Sequence, residues 1–133
     1  TGAASIDLVH TATIENWPER QFDVVTMIDV LHHIPPILQH SFVEAALARI
    51  RPGGILIYKD IANTPFLMAS ASRLHDLILA RQWIHYAPIS TVSEWILEKG
   101  FVEEHGETID LLWYRHELRA FRKPAANSQA SPL

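Results

Sequence analysis

One short β-branched run, ending on an acid and a pair of histidines, constrains the fold of this chain more than any other stretch. Phe22-Asp23-Val24-Val25-Thr26-Met27-Ile28 is almost unbroken in apolar character and too short for a free-standing helix. Such a run reads as a strand buried on both faces of a parallel sheet. In open α/β sheets, ligands bind beyond the carboxyl ends of the strands. Asp29-Val30-Leu31-His32-His33, directly after the run, is therefore where a functional site is expected.

The flanking patterns extend that strand into an α/β domain. Ile6-Asp7-Leu8-Val9-His10 alternates and predicts a short strand, and Thr11 to Gln21 is a polar connection around Trp17-Pro18. Pro35-Pro36 suits entry to a helix, because a proline at the first helical position loses no needed donor. The spacing of Phe42, Val43, Ala46, Leu47 and Ile50 predicts an amphipathic helix from Ile37 to Arg51. Pro52-Gly53-Gly54 is expected to stop it, and Ile55-Leu56-Ile57-Tyr58 to open the next strand. Leu67, Ala71, Leu74, Leu77 and Ile78 predict one long helix or two short ones over Thr64 to Trp83. Thr91 and Glu94 form a candidate capping box, ahead of a helix that buries Val92, Trp95 and Ile96 and ends at Gly100. Phe101 to Thr108 reads as a strand. In the next stretch Leu112, Tyr114, His116, Leu118 and Ala120 alternate with Trp113, Arg115, Glu117 and Arg119. A turn near Thr108–Asp110 would pair the two strands antiparallel. Helix–strand alternation before them argues for a parallel sheet.

Composition removes several classes of function. The 133 residues suit one domain, and 48% hydrophobic with 20% charged content is that of a globular chain. A net charge of −4 without a Lys/Arg cluster speaks against a broad nucleic-acid face. No apolar run reaches the roughly 20 residues that span a bilayer, so no membrane partner is expected. Without cysteine there is no disulfide, thiolate site or cysteine nucleophile, which is compatible with a cytoplasmic protein. Asp29, His32 and His33 have metal-ligand chemistry, but their spacing fits no zinc signature, and no metal is expected.

Three segments together resemble the class I S-adenosylmethionine-dependent methyltransferases. Phe22-Asp23-Val24-Val25 running to Asp29-Val30-Leu31-His32-His33-Ile34 is similar to that family's fourth-strand motif. Ala48-Arg49-Ile50-Arg51-Pro52-Gly53-Gly54-Ile55-Leu56 is similar to its turn into the fifth strand, and the pair after Gly100-Phe101 to its reversed last strand. The resemblance spans roughly residues 6–122. It implies a Rossmann-like methyltransferase sheet with a C-terminal antiparallel strand pair, and S-adenosylmethionine as cofactor.

By this resemblance, Asp29 and the Val30-Leu31 main chain lie beside the cofactor's methionine part. Thr11-Ala12 stand where the family has an adenine-contacting Asp-Ala. His33 is the candidate general base, since imidazole titrates near neutrality. His32 is expected to point to solvent or cap a turn on the substrate side. Tyr58, with Lys59 and Asp60 after it, lines that side as well. Residues 63–89 occupy the place of a substrate lid, whose Trp83 and Tyr86 suit a small, largely apolar acceptor. The family's glycine-rich loop and its second-strand acid have no counterpart, for Gly2 is the only glycine before Gly53. The expectation is a domain truncated at the N-terminus (1–122) with a disordered tail (123–133), acting within a longer enzyme. The strand left open at Phe22–Ile28 would favour a homodimer. A non-catalytic association module derived from the same fold is the alternative.

Overall fold

The computed structural model describes residues 6–61, 86–111 and 114–126. Strand β1 (Phe22–Ile28) leads through a 3-10 turn (Leu31–His33) into helix α1 (Pro36–Ala48) and strand β2 (Ile50–Ile61). Helix α2 (Ile89–Glu98) and strands β3 (Val102–Leu111) and β4 (Tyr114–Arg122) follow. The sheet order is β1-β2-β4-β3, with β1 parallel to β2 and both other pairings antiparallel. Putting β4 beside β2 is what the reversed last strand requires.

The helices lie on one side of this sheet. Val25 and Leu56, Met27 and Tyr58, and Leu56 and Phe121 are paired across neighbouring strands. They pack with Val43, Ala46 and Leu47 of α1 and Val92 and Ile96 of α2 in one core. Both helices therefore bury the face that their periodicity announced. Pro35 precedes α1, and Gly100, at φ +83°, ends the turn after α2. A left-handed residue there suits glycine, which has no Cβ to clash.

Five expectations are corrected. Residues 6–10 form no strand, and Ile6 and Leu8 are exposed; a strand persists only where a neighbour satisfies its main-chain groups. β1 is not buried on both faces. It pairs with β2 alone among the described residues, and Val24 and Ile28 on the side away from α1 are about half exposed. Pro52-Gly53-Gly54 is not the helix stop. α1 ends at Ala48 and β2 already starts at Ile50, which pairs with Phe22. The register shifts before Val24 meets Ile55, so the glycines form a bulge within the strand, with Gly53 at φ +79°. Thr91 caps nothing: α2 begins at Ile89 after Pro88, because Ile89 packs on the core. Last, β3 runs on past Thr108 to Leu111, and the buried residues of β4 are Glu117 and Phe121. As an inner strand β4 follows the helix-covered face, where Phe121 meets Leu56.

Lys123, where a tail was expected, is tied to the bulge: its N–H donates to Gly54 O and its carbonyl accepts from Gly53 N–H, both at 2.9 Å. No turn falls at Thr108–Asp110, which lies within β3, and the expected helix over 64–83 and the tail from 127 onward lie outside the described residues.

Candidate functional site

Asp29 breaks the strand geometry at the end of β1. Its N–H still donates to Lys59 O at 2.9 Å, but its φ is +52°, a region that Asp tolerates better than most residues. One carboxylate oxygen, Oδ2, pairs with Lys59 Nζ at 2.6 Å. The other, Oδ1, is buried and accepts no hydrogen bond from the described residues. A buried carboxylate oxygen without a donor is costly, and it is the kind of defect a bound ligand repairs.

The turn after Asp29 is held from the helix side by Gln39. Its Nε2 donates to Leu31 O at 3.2 Å and Ile34 O at 3.1 Å. Gln39 was not a candidate in the sequence, yet it lies four residues before Val43 on the inner face of α1, and that spacing is its signal. Leu31 itself is 1% exposed, so its side chain belongs to the core and only its main chain can serve a ligand.

His32 is neither solvent-facing nor a cap. It is buried with Asp60, whose Oδ1 pairs with His32 Nδ1 and whose Oδ2 accepts from His32 N–H at 3.3 Å. Asp60 Oδ1 also accepts from Ile61 N–H at 2.8 Å. The correction has a packing reason: Asp60 follows Leu56 and Tyr58 on the helix-covered face of β2, and a carboxylate there needs donors. His33 is exposed, and its ring lies 4.1 Å from that of His32. Tyr86 is buried with its ring 6.0 Å from His32, while Trp83 lies outside the described residues. Tyr58 is a core residue, 2% exposed. Burial, followed by the charge of Asp60, its hydrogen bond with Asp60 and the charge of Asp29, raises its phenol well above the usual tyrosine range.

Two cavities flank the loop. Thr11, Ala12, Ile34, Pro35 and Leu38 line one of about 510 Å³. Val30 instead faces a cavity of about 310 Å³ with Phe22, Val25 and Met27 along the open side of β1. Trp17 and Phe42, packed edge to face at 4.9 Å, form the wall common to both. Arg49 fixes that wall, donating to Pro18 O at 2.9 Å and Ala45 O at 2.8 Å beside the Trp17 ring. The proposed cofactor residues are thus gathered around one loop but not into one cavity. Asp29 and His32 are engaged by different partners, and no metal-binding group of three His, Asp or Glu side chains exists among the described residues.

A parallel β1–α1–β2 unit, an antiparallel last strand inserted beside β2, and polar groups at the carboxyl ends of β1 and β2 define a Rossmann-like α/β domain. Residues 3–105 match the family model described as methyltransferase domain, and the chain belongs to that family. No curated protein matches its sequence. Among solved structures it is similar to the N-methyltransferase NodS from Bradyrhizobium japonicum in complex with S-adenosyl-L-homocysteine. The identity is 18% and the TM-score 0.62, over 86% of this chain and 53% of that one. It is similar to magnesium protoporphyrin IX methyltransferase from Synechocystis, with 13% identity and a TM-score of 0.66 over 86% and 50% of the chains. A third is 1,6-didemethyltoxoflavin-N1-methyltransferase from Burkholderia thailandensis, with 14% identity and a TM-score of 0.60 over 84% and 48%. The chain spans about half the length of these structures. No helix among the described residues is long and apolar enough to cross a membrane.

Proposed function

We propose that this chain supplies the acceptor side and the methionine-side wall of an S-adenosylmethionine-dependent methyltransferase, within a longer enzyme. The observation that carries this reading is Asp29. Its buried Oδ1 lacks a donor among the described residues while Oδ2 is held by Lys59, so the carboxylate is oriented and half satisfied there. An ammonium group is the natural partner for such an oxygen. The residues present therefore fit the cofactor's amino-acid end. The adjoining cavity of about 510 Å³, lined by Thr11 and Ala12, has the size and mixed lining of a small-molecule site.

In this reading Asp29 holds the ammonium through Oδ1. The Thr11 hydroxyl accepts from an adenine amino group, and the Ala12 N–H donates to the ring. The bound cofactor supplies a methyl group already activated by a positively charged sulfur. Catalysis is then largely positioning and exclusion of water, with a base where the acceptor must lose a proton. The exposed His33 is that base, taking the proton on a ring nitrogen. Tyr86 shapes the acceptor side for a small apolar molecule, and most of the expected lid at 63–89 lies outside the described residues. The solved neighbours that act on small molecules support this choice. The lack of cysteine supports a cytoplasmic location.

Titration of the isotopically labelled chain with millimolar S-adenosylhomocysteine tests the reading. Amide shifts are expected at Thr11, Ala12 and Asp29 to His33, and Asp29→Asn should abolish them. No response at these residues, or an equal response in the variant, refutes the assignment.

A further inference from the structure

We infer that Asp60 and His32 form a positioning dyad for the loop that carries Asp29 and His33, an inference that rests on the methyl-transfer reading of that loop. Asp60 is 5% exposed, and a carboxylate so deeply buried is tolerated only when its oxygens are filled. Among its donors, besides Ile61 N–H and the Tyr58 hydroxyl, are the ring and the main chain of one residue, His32, 28 positions earlier. The main-chain contact sets the height of the turn between Leu31 and His33. The ring contact sets the plane of the imidazole.

Fixing the ring fixes its neighbours. With Nδ1 committed to the carboxylate, neutral His32 keeps its proton on Nδ1 and leaves Nε2 as an acceptor. The His33 ring rests on this plane at 4.1 Å, and Tyr86 lies 6.0 Å away. The adjacent residue completes the arrangement. Successive residues of a strand point to opposite faces. Lys59 thus grips Asp29 from one face of β2 while Asp60 grips His32 from the other. The loop straddles the end of β2 and is clamped on both sides. A buried polar pair is weak evidence for stability alone, and this one sits where the loop's side chains need orientation.

Asp60→Asn tests the dyad, because the amide matches the carboxylate in shape and can offer an N–H to Nδ1. Long-range ¹⁵N imidazole spectra of the full chain should show His32 with its proton on Nδ1, and with the proton on Nε2 in the variant. The His33 ring signals should move with it. The response of Asp29 to His33 to S-adenosylhomocysteine should weaken about tenfold or more, the equivalent of losing one charge-assisted hydrogen bond. Unchanged His32 and His33 rings in a folded Asp60→Asn chain overturn the dyad. If that variant does not fold, the unmodified chain decides: a slowly exchanging Nδ1 proton supports the dyad, and a neutral His32 protonated on Nε2 overturns it. Rings that respond as stated in a chain blind to S-adenosylhomocysteine support the dyad and overturn the methyl-transfer reading instead.

Discussion

Replacing Asp29 by glycine and by alanine separates the two things that residue does for the fold. Its φ of +52° is a conformation in which a Cβ costs about 1–2 kcal/mol and glycine costs nothing sterically. Its ion pair with Lys59 joins side chains that are 42% and 27% exposed, and a pair so open to water stabilises by less than about 1 kcal/mol. Asp29→Gly loses the pair but relieves the backbone, and the extra freedom of glycine in the unfolded chain offsets part of that relief. The net change is expected within about 1 kcal/mol of zero. Asp29→Ala loses the pair and gains no backbone relief, so it should destabilise by up to about 1 kcal/mol. Urea titration followed by the fluorescence of the four tryptophans measures both. With a slope of about 1–3 kcal/mol per molar urea, the alanine midpoint should lie below the glycine midpoint by about 0.3 M or more for each kcal/mol of strain that glycine relieves. An alanine variant as stable as the glycine variant refutes the backbone argument. Binding behaves differently: both variants lack the carboxylate and should lose the S-adenosylhomocysteine response together.

Three further outcomes follow from the packing. The buried Tyr58 phenol titrates above its unfolded value, so the unfolded chain ionises first as pH rises. The stability held by the protonated phenol is complete below about pH 10 and falls above it by up to roughly 1.4 kcal/mol per pH unit; Tyr58→Phe should flatten this alkaline slope in urea midpoints. A methyl group on Gly54 would lie 2.8 Å from Asp23 O and 2.9 Å from Arg51 O, both main chain. Gly54→Ala should therefore cost about 1–3 kcal/mol by overpacking, read as a lowered urea midpoint. Arg49→Met keeps the side-chain stem but removes the donors to Pro18 O and Ala45 O. It should destabilise by about 1.5–3 kcal/mol and alter Trp17 emission, and unchanged emission would show that Arg49 does not hold that wall.

Elements whose signal is local were legible. β1 has the predicted bounds, and α1 and α2 bury the faces that their 3.6-residue spacing marks. Pairing was legible only in part, because a strand is half of an interaction. Ile6–His10 alternates as a strand should, yet no neighbour among the described residues takes its hydrogen bonds. Pro52-Gly53-Gly54 has the composition of a turn. Only the register of Ile50 against Phe22 and of Ile55 against Val24 shows it to be a bulge.

The site divides in the same way. The run Phe22–Ile28 followed by Asp29 and two histidines determined by itself where polar groups would gather, since a parallel strand delivers them at its carboxyl end. Which histidine is buried was beyond the sequence, as His32 and His33 are adjacent and chemically identical. The tertiary structure decided it by bringing Asp60 on β2 against the loop. Strand parity places that carboxylate on the helix-covered face, where only a buried partner can satisfy it. The same pairing of β1 with β2 sets Lys59 on Asp29 and leaves Oδ1 without a donor among the described residues. Residue types are a property of the chain, whereas burial and partnership belong to contacts between segments about thirty residues apart.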